Sequence, residues 1–263
     1  MFRTTEISNP EFESDNLRFI TIKTPNLKGR GDICVFVPPM KNLNDIPLII
    51  LLHGVYGSAW AWSQKGEAHI TAWNMIRQGE IPPMVIAMPS DGLWGDGTGY
   101  LPHNGMDFEK WIVNDVPAAV TENIPQVSEN SKLFISGLSM GGFGALRLGI
   151  KYSNRFEAVS AHSSITDLQQ MELFVEEPLT DYIQEEEREN SVWGMAQKNN
   201  GPIPKLRFDC GTDDLLIEHN RELHQKLLKA HINHEYQEFP GGHEWPYWQE
   251  HLKNTLLFFG DTI

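Results

Sequence analysis

Cysteine is close to absent from this 263-residue chain: only Cys34 and Cys210 occur, far apart and outside any C-x-x-C spacing. That spacing suggests neither a disulfide framework nor a thiolate zinc site, and both residues, set in apolar strand-like runs, are expected as small buried thiols. Basic residues are also scarce, 21 Lys and Arg against 35 Asp and Glu, for a formal net charge of −14. Such a balance argues against attraction to nucleic acid phosphates or anionic lipid, so neither nucleic acid nor membrane is expected as a partner. No apolar run approaches membrane-spanning length, and Met1-Phe2-Arg3-Thr4-Thr5-Glu6 leads into polar residues where a secretory signal would be apolar. A cytoplasmic location is the resulting expectation. Internal repeats and low-complexity linkers are missing too, so residues 1–263 are expected to form one domain.

What is present alternates. Residues 20–22 and 33–37 cluster β-formers around Gly29-Arg30-Gly31, which predicts an opening antiparallel hairpin with its turn at those glycines. Pro47-Leu48-Ile49-Ile50-Leu51-Leu52 is a continuous apolar run, the signature of a strand covered on both faces. Further strands are predicted at 84–88, 133–136, 156–161, 206–210 and 235–239, and helices at 73–77, 108–123, 140–151, 219–230 and 248–259. Pro117 should kink the second of those helices or mark its true start near Val116. Strand–helix alternation of this kind predicts an α/β fold, a mostly parallel central sheet with helices on both faces. Two stretches break the pattern. Residues 91–104, rich in glycine around Trp94 and Tyr100, are expected as a loop over the sheet edge, and residues 163–204 as a cap or wall insertion. The run Glu185-Glu186-Glu187-Arg188-Glu189 within it is expected as a solvated face.

The chemistry gathers at three places. Gly137-Leu138-Ser139-Met140-Gly141 fits G-x-S-x-G between a strand and a helix, where a nucleophilic hydroxyl sits on a strained turn that only small neighbours tolerate. As a bare string it equally fits a tight turn with a capping serine. A hydroxyl needs a histidine to take its proton and an acid to fix that histidine's tautomer, in the chain order Ser, acid, His for α/β-hydrolases. Asp213 and Asp214 follow one strand, and His243 lies in the glycine-flanked loop Pro240-Gly241-Gly242-His243-Glu244-Trp245 after another. Asp214 is preferred, because the first of two adjacent acids at a strand end more often caps the turn; the residues alone leave Asp213 open. His103, His162 and His251 are weaker candidates for the base. The oxyanion hole is assigned to the backbone amides of Met140 and Val55, with Tyr56 as the fallback. Tyr56, Trp94 and Trp245 are candidates to contact substrate, and Trp60 and Trp62 share the aromatic character of an acyl or aromatic pocket.

Those motifs together resemble the Putative esterase family of α/β-hydrolases, which includes S-formylglutathione hydrolases (esterase D), tributyrin esterases, feruloyl esterases and mycolyltransferases. The resemblance runs from about Ile33 to Phe259 and rests on Leu51-Leu52-His53-Gly54, Gly137-Leu138-Ser139-Met140-Gly141-Gly142, Cys210-Gly211-Thr212-Asp213-Asp214 and the His243 loop. It implies an α/β-hydrolase fold and a serine carboxylesterase for short-chain acyl or aromatic esters, with Ser139 as nucleophile, Asp214 as acid, His243 as base, and no cofactor or metal. S-formylglutathione hydrolases carry a threonine- and cysteine-containing loop after the oxyanion strand. Here Val55-Tyr56-Gly57-Ser58 stands there, closer to the tributyrin and feruloyl esterase branch.

Four other readings compete. An acyltransferase would use the same triad with an alcohol or sugar acceptor, and an S-formylglutathione hydrolase-like thioesterase would use it on a thioester. A metal hydrolase would need His219, His224, His231 and His234, whose spacings do not put two ligands at i and i+4 of one helix. A binding module with a dead site conflicts with the complete constellation. The expected partner is a small-molecule ester, and the sequence is compatible with a homo-oligomer.

Overall fold

The computed structural model describes residues 2–263. Three antiparallel strands open it: β1 (Thr5–Ile7), β2 (Leu17–Thr24) and β3 (Gly29–Phe36). The hairpin turn is not at Gly29-Arg30-Gly31, because Gly29 pairs with Thr24 and Gly31 with Ile22 inside the ladder. The chain reverses over residues 25–28 instead, where Pro25 restricts φ and Lys28 takes the left-handed conformation at φ +50°. Then come β4 (Leu48–Leu52), β5 (Val85–Pro89), a short hairpin of β6 (Pro102–His103) and β7 (Met106–Asp107), β8 (Leu133–Leu138), β9 (Phe156–His162), β10 (Lys205–Gly211) and β11 (Glu235–Phe239). All but β6 and β7 join one sheet in the order β1-β2-β3-β5-β4-β8-β9-β10-β11, parallel from β5 through β11.

The helices are α1 (Ala61–Gln64), α2 (Ala68–Gln78), α3 (Phe108–Lys110), α4 (Val116–Asn123), α5 (Met140–Lys151), α6 (Val192–Lys198), α7 (Ile217–Lys229) and α8 (Trp245–Gly260). Side chains alternate across a strand, so β4 feeds two cores at once. Leu48, Ile50 and Leu52 pack with α4, α5 and α7, while Ile49 and Leu51 pack with α2 and α8 on the other face. Every residue of β4 is buried, and each such aliphatic side chain contributes roughly 1.5–3 kcal/mol on leaving water. That double coverage explains why the run carries no polar residue.

Residues 108–123 are not one straight helix. Trp111–Asp115 form a wide π turn between α3 and α4, in which the Val116 amide reaches back to the Trp111 carbonyl. Pro117 stands in the first turn of α4, directly after the π turn, so its missing N–H falls where the hydrogen-bond ladder changes from π to α spacing.

Residues 163–204 carry 3₁₀ turns at Leu168–Leu173, Leu179–Asp181 and Glu187–Asn190 before α6. The acidic run is not simply a solvated face, since Glu189 meets Arg147 of α5 at 3.1 Å, Lys151 at 2.6 Å and Lys198 at 2.8 Å. Arg147 is wholly buried and also holds Glu109 at 2.6 Å, so the segment is anchored to the helix that follows Ser139. Burial alone would raise the Glu189 carboxyl, but the hydrogen bonds from Lys151 and Lys198 outweigh it and hold it at about 2. Cys34 and Cys210 are buried free thiols. Among the described residues, no helix is long and apolar enough to cross a membrane.

Candidate active site

β8 ends and α5 begins at Ser139, whose backbone sits at φ +54°, ψ −120°. A non-glycine residue held there costs of order 1–3 kcal/mol and persists only where its surroundings fix it. Here they do: the Ser139 amide donates to the His162 carbonyl at 3.0 Å, and its carbonyl accepts from Phe143 and Ile165. The turn is tight enough that a Cβ on Gly141 would lie 2.4 Å from the Leu52 carbonyl oxygen. No larger residue fits that position.

His243, in the loop between β11 and α8, places Nε2 3.0 Å from Ser139 Oγ. Its Nδ1 lies 3.1 and 3.0 Å from the two carboxylate oxygens of Asp214, which follows β10. A carboxylate only accepts, so Nδ1 carries the proton toward it. Asp214 also takes the Leu216 amide at 2.8 Å. Burial pushes its carboxyl up, but the bonds from His243 and Leu216 prevail and hold it below the ordinary value of 3.8. The imidazole is packed between Phe174, stacked at 5.2 Å, and the edge of Trp248 at 5.0 Å. Asp213 is exposed and meets the His243 loop through its backbone, donating to the Gly241 carbonyl at 2.9 Å.

The amide of Met140 opens α5 and so has no acceptor within the helix. The amide of Val55, in the turn after β4, meets no acceptor among the described residues, whereas that of Tyr56 is committed to the Asp96 carbonyl at 2.8 Å. That commitment removes the fallback donor. His53 shapes the turn: its ring bonds the Gly54 carbonyl through Nδ1 at 2.6 Å and accepts the Asp91 amide on Nε2 at 3.1 Å. The Tyr100 hydroxyl then donates to the His53 carbonyl at 2.9 Å. His53 belongs to the Leu-Leu-His-Gly motif, yet its structural role could not be read from the string.

A cavity of about 440 Å³ opens over Ser139, with Tyr56, Trp60, Phe174, Trp245 and Trp248 among its walls. Tyr56 and Trp245 therefore stand where the sequence expected substrate contacts. Trp94 does not line this cavity: it packs edge-on against His103 at 4.6 Å and Tyr182 at 5.5 Å. Trp62 is likewise core, its indole donating to the Leu52 carbonyl at 2.8 Å. Phe174, from residues 163–204, was missed, and its carbonyl accepts the Tyr56 hydroxyl across the cleft. Lys65 was missed as well; it lies 5.4 Å over the Trp245 ring at the rim.

The alternative histidines are engaged elsewhere. His103 is buried and bonds the Thr98 carbonyl at 3.0 Å, His251 stacks on Phe239 at 4.2 Å, and His162 pairs with Asp209 inside the sheet. His224 and His234 contact one another at 2.7 Å, and among the described residues no group of three His, Cys, Asp or Glu is placed to hold a metal ion.

Known proteins share this architecture. The acetyl esterase of Caldicellulosiruptor saccharolyticus is 25% identical over 258 residues, which span 91% of this chain and 90% of that one. A solved ferulic acid esterase superposes with a TM-score of 0.80 at 23% identity, over 99% of this chain and 100% of that one. The S-formylglutathione hydrolase of Staphylococcus aureus does so with a TM-score of 0.78 at 17% identity, over 96% and 98%. These likenesses establish an α/β-hydrolase fold. Residues 24–259 match the family model described as Putative esterase, and the chain belongs to that family of serine ester hydrolases.

Proposed function

We propose that the chain hydrolyses carboxylic esters of short or aromatic acyl groups through Ser139, His243 and Asp214, with a covalent acyl-enzyme between two half-reactions. The observation that carries this reading is the unbroken relay from Asp214 through His243 to Ser139 Oγ, at distances of 3.0–3.1 Å, at the floor of an aromatic-walled cavity. The acetyl esterase relative and the ferulic acid esterase neighbour support the choice of acyl class.

His243 Nε2 takes the Ser139 proton as Oγ attacks the ester carbonyl, and Asp214 stabilises the imidazolium that forms. The carbonyl oxygen, now an oxyanion, is met by the amides of Met140 and Val55. Their positions are fixed before substrate arrives, so little reorganisation is needed as the charge develops. The positive end of α5 faces the same point. Collapse expels the alkoxide, which leaves as the alcohol with the proton from Nε2. A water molecule activated by His243 then attacks the acyl-enzyme, and Ser139 recovers its proton.

The test is hydrolysis of 4-nitrophenyl acetate and of a feruloyl ester by the wild type and by Ser139→Ala. Loss of the nucleophile should lower turnover by on the order of 10⁶-fold on both. Equal turnover by the variant would overturn the reading.

A further inference from the structure

Between the sheet and α8 lies a second set of polar groups that the catalytic reading does not use. His162, Asp209, Ser160 and Thr255 are wholly buried, and Arg207 and Tyr247 nearly so. His162 Nδ1 meets Asp209 at 2.9 Å, and its Nε2 meets the Thr255 hydroxyl at 2.8 Å, which in turn bonds Ser160 at 2.6 Å. Arg207 donates to the same oxygen, Asp209 Oδ2, at 2.6 Å and reaches Gln237 at 3.0 Å. The Tyr247 hydroxyl donates to Asp209 Oδ1 at 2.8 Å. Burial pushes the Asp209 carboxyl up, but His162, Arg207 and Tyr247 more than offset this and hold it at about 2.

Buried ion pairs of this kind are often no more stabilising than apolar packing of the same volume. What distinguishes this one is where its members lead. The His162 carbonyl accepts the amide of Ser139 at 3.0 Å. Asp209 lies in β10 just before the loop that carries Asp214, and its carbonyl accepts the Ser163 amide at 2.8 Å. Tyr247 packs so closely beneath the His243 loop that a Cβ on Gly241 would lie 2.8 Å from its ring. One cluster thus touches the backbone behind all three groups, which otherwise leave their strands on separate loops.

Resting on the catalytic reading above, we propose that Thr255, His162, Asp209 and Tyr247 form a positioning network that holds the loops of Ser139, Asp214 and His243 at reactive separation. The network contacts no substrate. It acts through the Ser139 amide and the His243 loop, and a displacement there of a fraction of an ångström to 1 Å weakens the relay, with losses that reach about 100-fold at 1 Å.

Thr255→Val and Tyr247→Phe each remove one hydroxyl at nearly constant volume, and Thr255→Ser restores the first. Steady-state kinetics on 4-nitrophenyl acetate, the rate of Ser139 modification by a fluorophosphonate, and thermal unfolding are compared with the wild type. The network predicts kcat lowered about tenfold or more with KM within about twofold, modification slowed by the same factor, and recovery in Thr255→Ser. Should Thr255→Val not fold, Tyr247→Phe decides the matter alone. A folded Tyr247→Phe with wild-type kcat and wild-type modification rate overturns the proposal while leaving the catalytic reading intact. A wild-type protein left unmodified at Ser139 overturns both.

Discussion

Asp214→Asn isolates the link on which the proposed proton transfer depends. Both carboxylate oxygens face His243 Nδ1, at 3.1 and 3.0 Å, and Oδ1 also takes the Leu216 amide at 2.8 Å. An amide of the same shape keeps only one acceptor at 3.1 Å from Nδ1, turns the nearer oxygen into a donor, and carries no charge to stabilise the imidazolium. With its oxygen toward Leu216, its NH₂ occupies the Oδ2 position and faces Nδ1–H, donor against donor. Turned the other way, the NH₂ confronts the Leu216 amide in a buried site. The imidazole escapes the first conflict by moving its proton to Nε2, and it then has no lone pair for the Ser139 proton. A loss of about 10³- to 10⁴-fold in kcat follows, roughly 4–5.5 kcal/mol of transition-state stabilisation, with KM little changed. The assay is steady-state hydrolysis of 4-nitrophenyl acetate, with circular dichroism to establish that the variant is folded. Asp213→Asn, at an exposed position, should stay close to wild type. If Asp214→Asn keeps more than about a tenth of wild-type kcat, or Asp213→Asn falls as far, the tautomer argument is wrong.

Three further outcomes are expected. Gly57→Ala puts a Cβ 2.3 Å from His53 Nδ1, so the ring that shapes the oxyanion turn must shift; kcat should fall about 10²-fold and urea unfolding should show about 1–3 kcal/mol lost. Phe174→Ala opens the wall beside His243, so kcat/KM for hexanoyl over acetyl esters should rise roughly tenfold, and an unchanged chain-length profile would deny Phe174 that role. Glu189, held at about 2 against an ordinary 4.5, contributes stability that is complete above the ordinary value and is lost as pH falls through the depressed one. Glu189→Gln should therefore flatten the dependence of the urea midpoint on pH across that acid window, and an unaltered slope would count against the Arg147, Lys151 and Lys198 pairing.

Much of this fold is written in local patterns. β4 is legible because five consecutive buried residues leave no room for polar alternation, and α5 because a helix must follow the turn that strains Ser139. Ser139, Asp214 and His243 could be chosen by type and order, since each closes a strand at the same sheet edge. The separations between them are tertiary and could not be read. Trp94 misled because a tryptophan in a glycine-rich loop says nothing about which way it faces, and the ring turned inward to His103 and Tyr182. Glu189 looked solvated because its partner Arg147 stands far upstream on another element. The β2–β3 turn was misplaced because Lys28, not a glycine, takes the positive φ. The Thr255–His162–Asp209 cluster was invisible for the same reason as the Glu189 network: its members come from separate elements and meet only when the sheet is assembled.

The most direct test of the account is to trap the intermediate. Wild-type protein mixed rapidly with 4-nitrophenyl acetate, quenched in acid and mapped by peptide mass spectrometry should carry one acetyl group, on Ser139, and Ser139→Ala should carry none. Ester hydrolysis that proceeds with no acetyl on Ser139, or with acetyl on a different residue of the wild type that turns over at the catalytic rate, would contradict it.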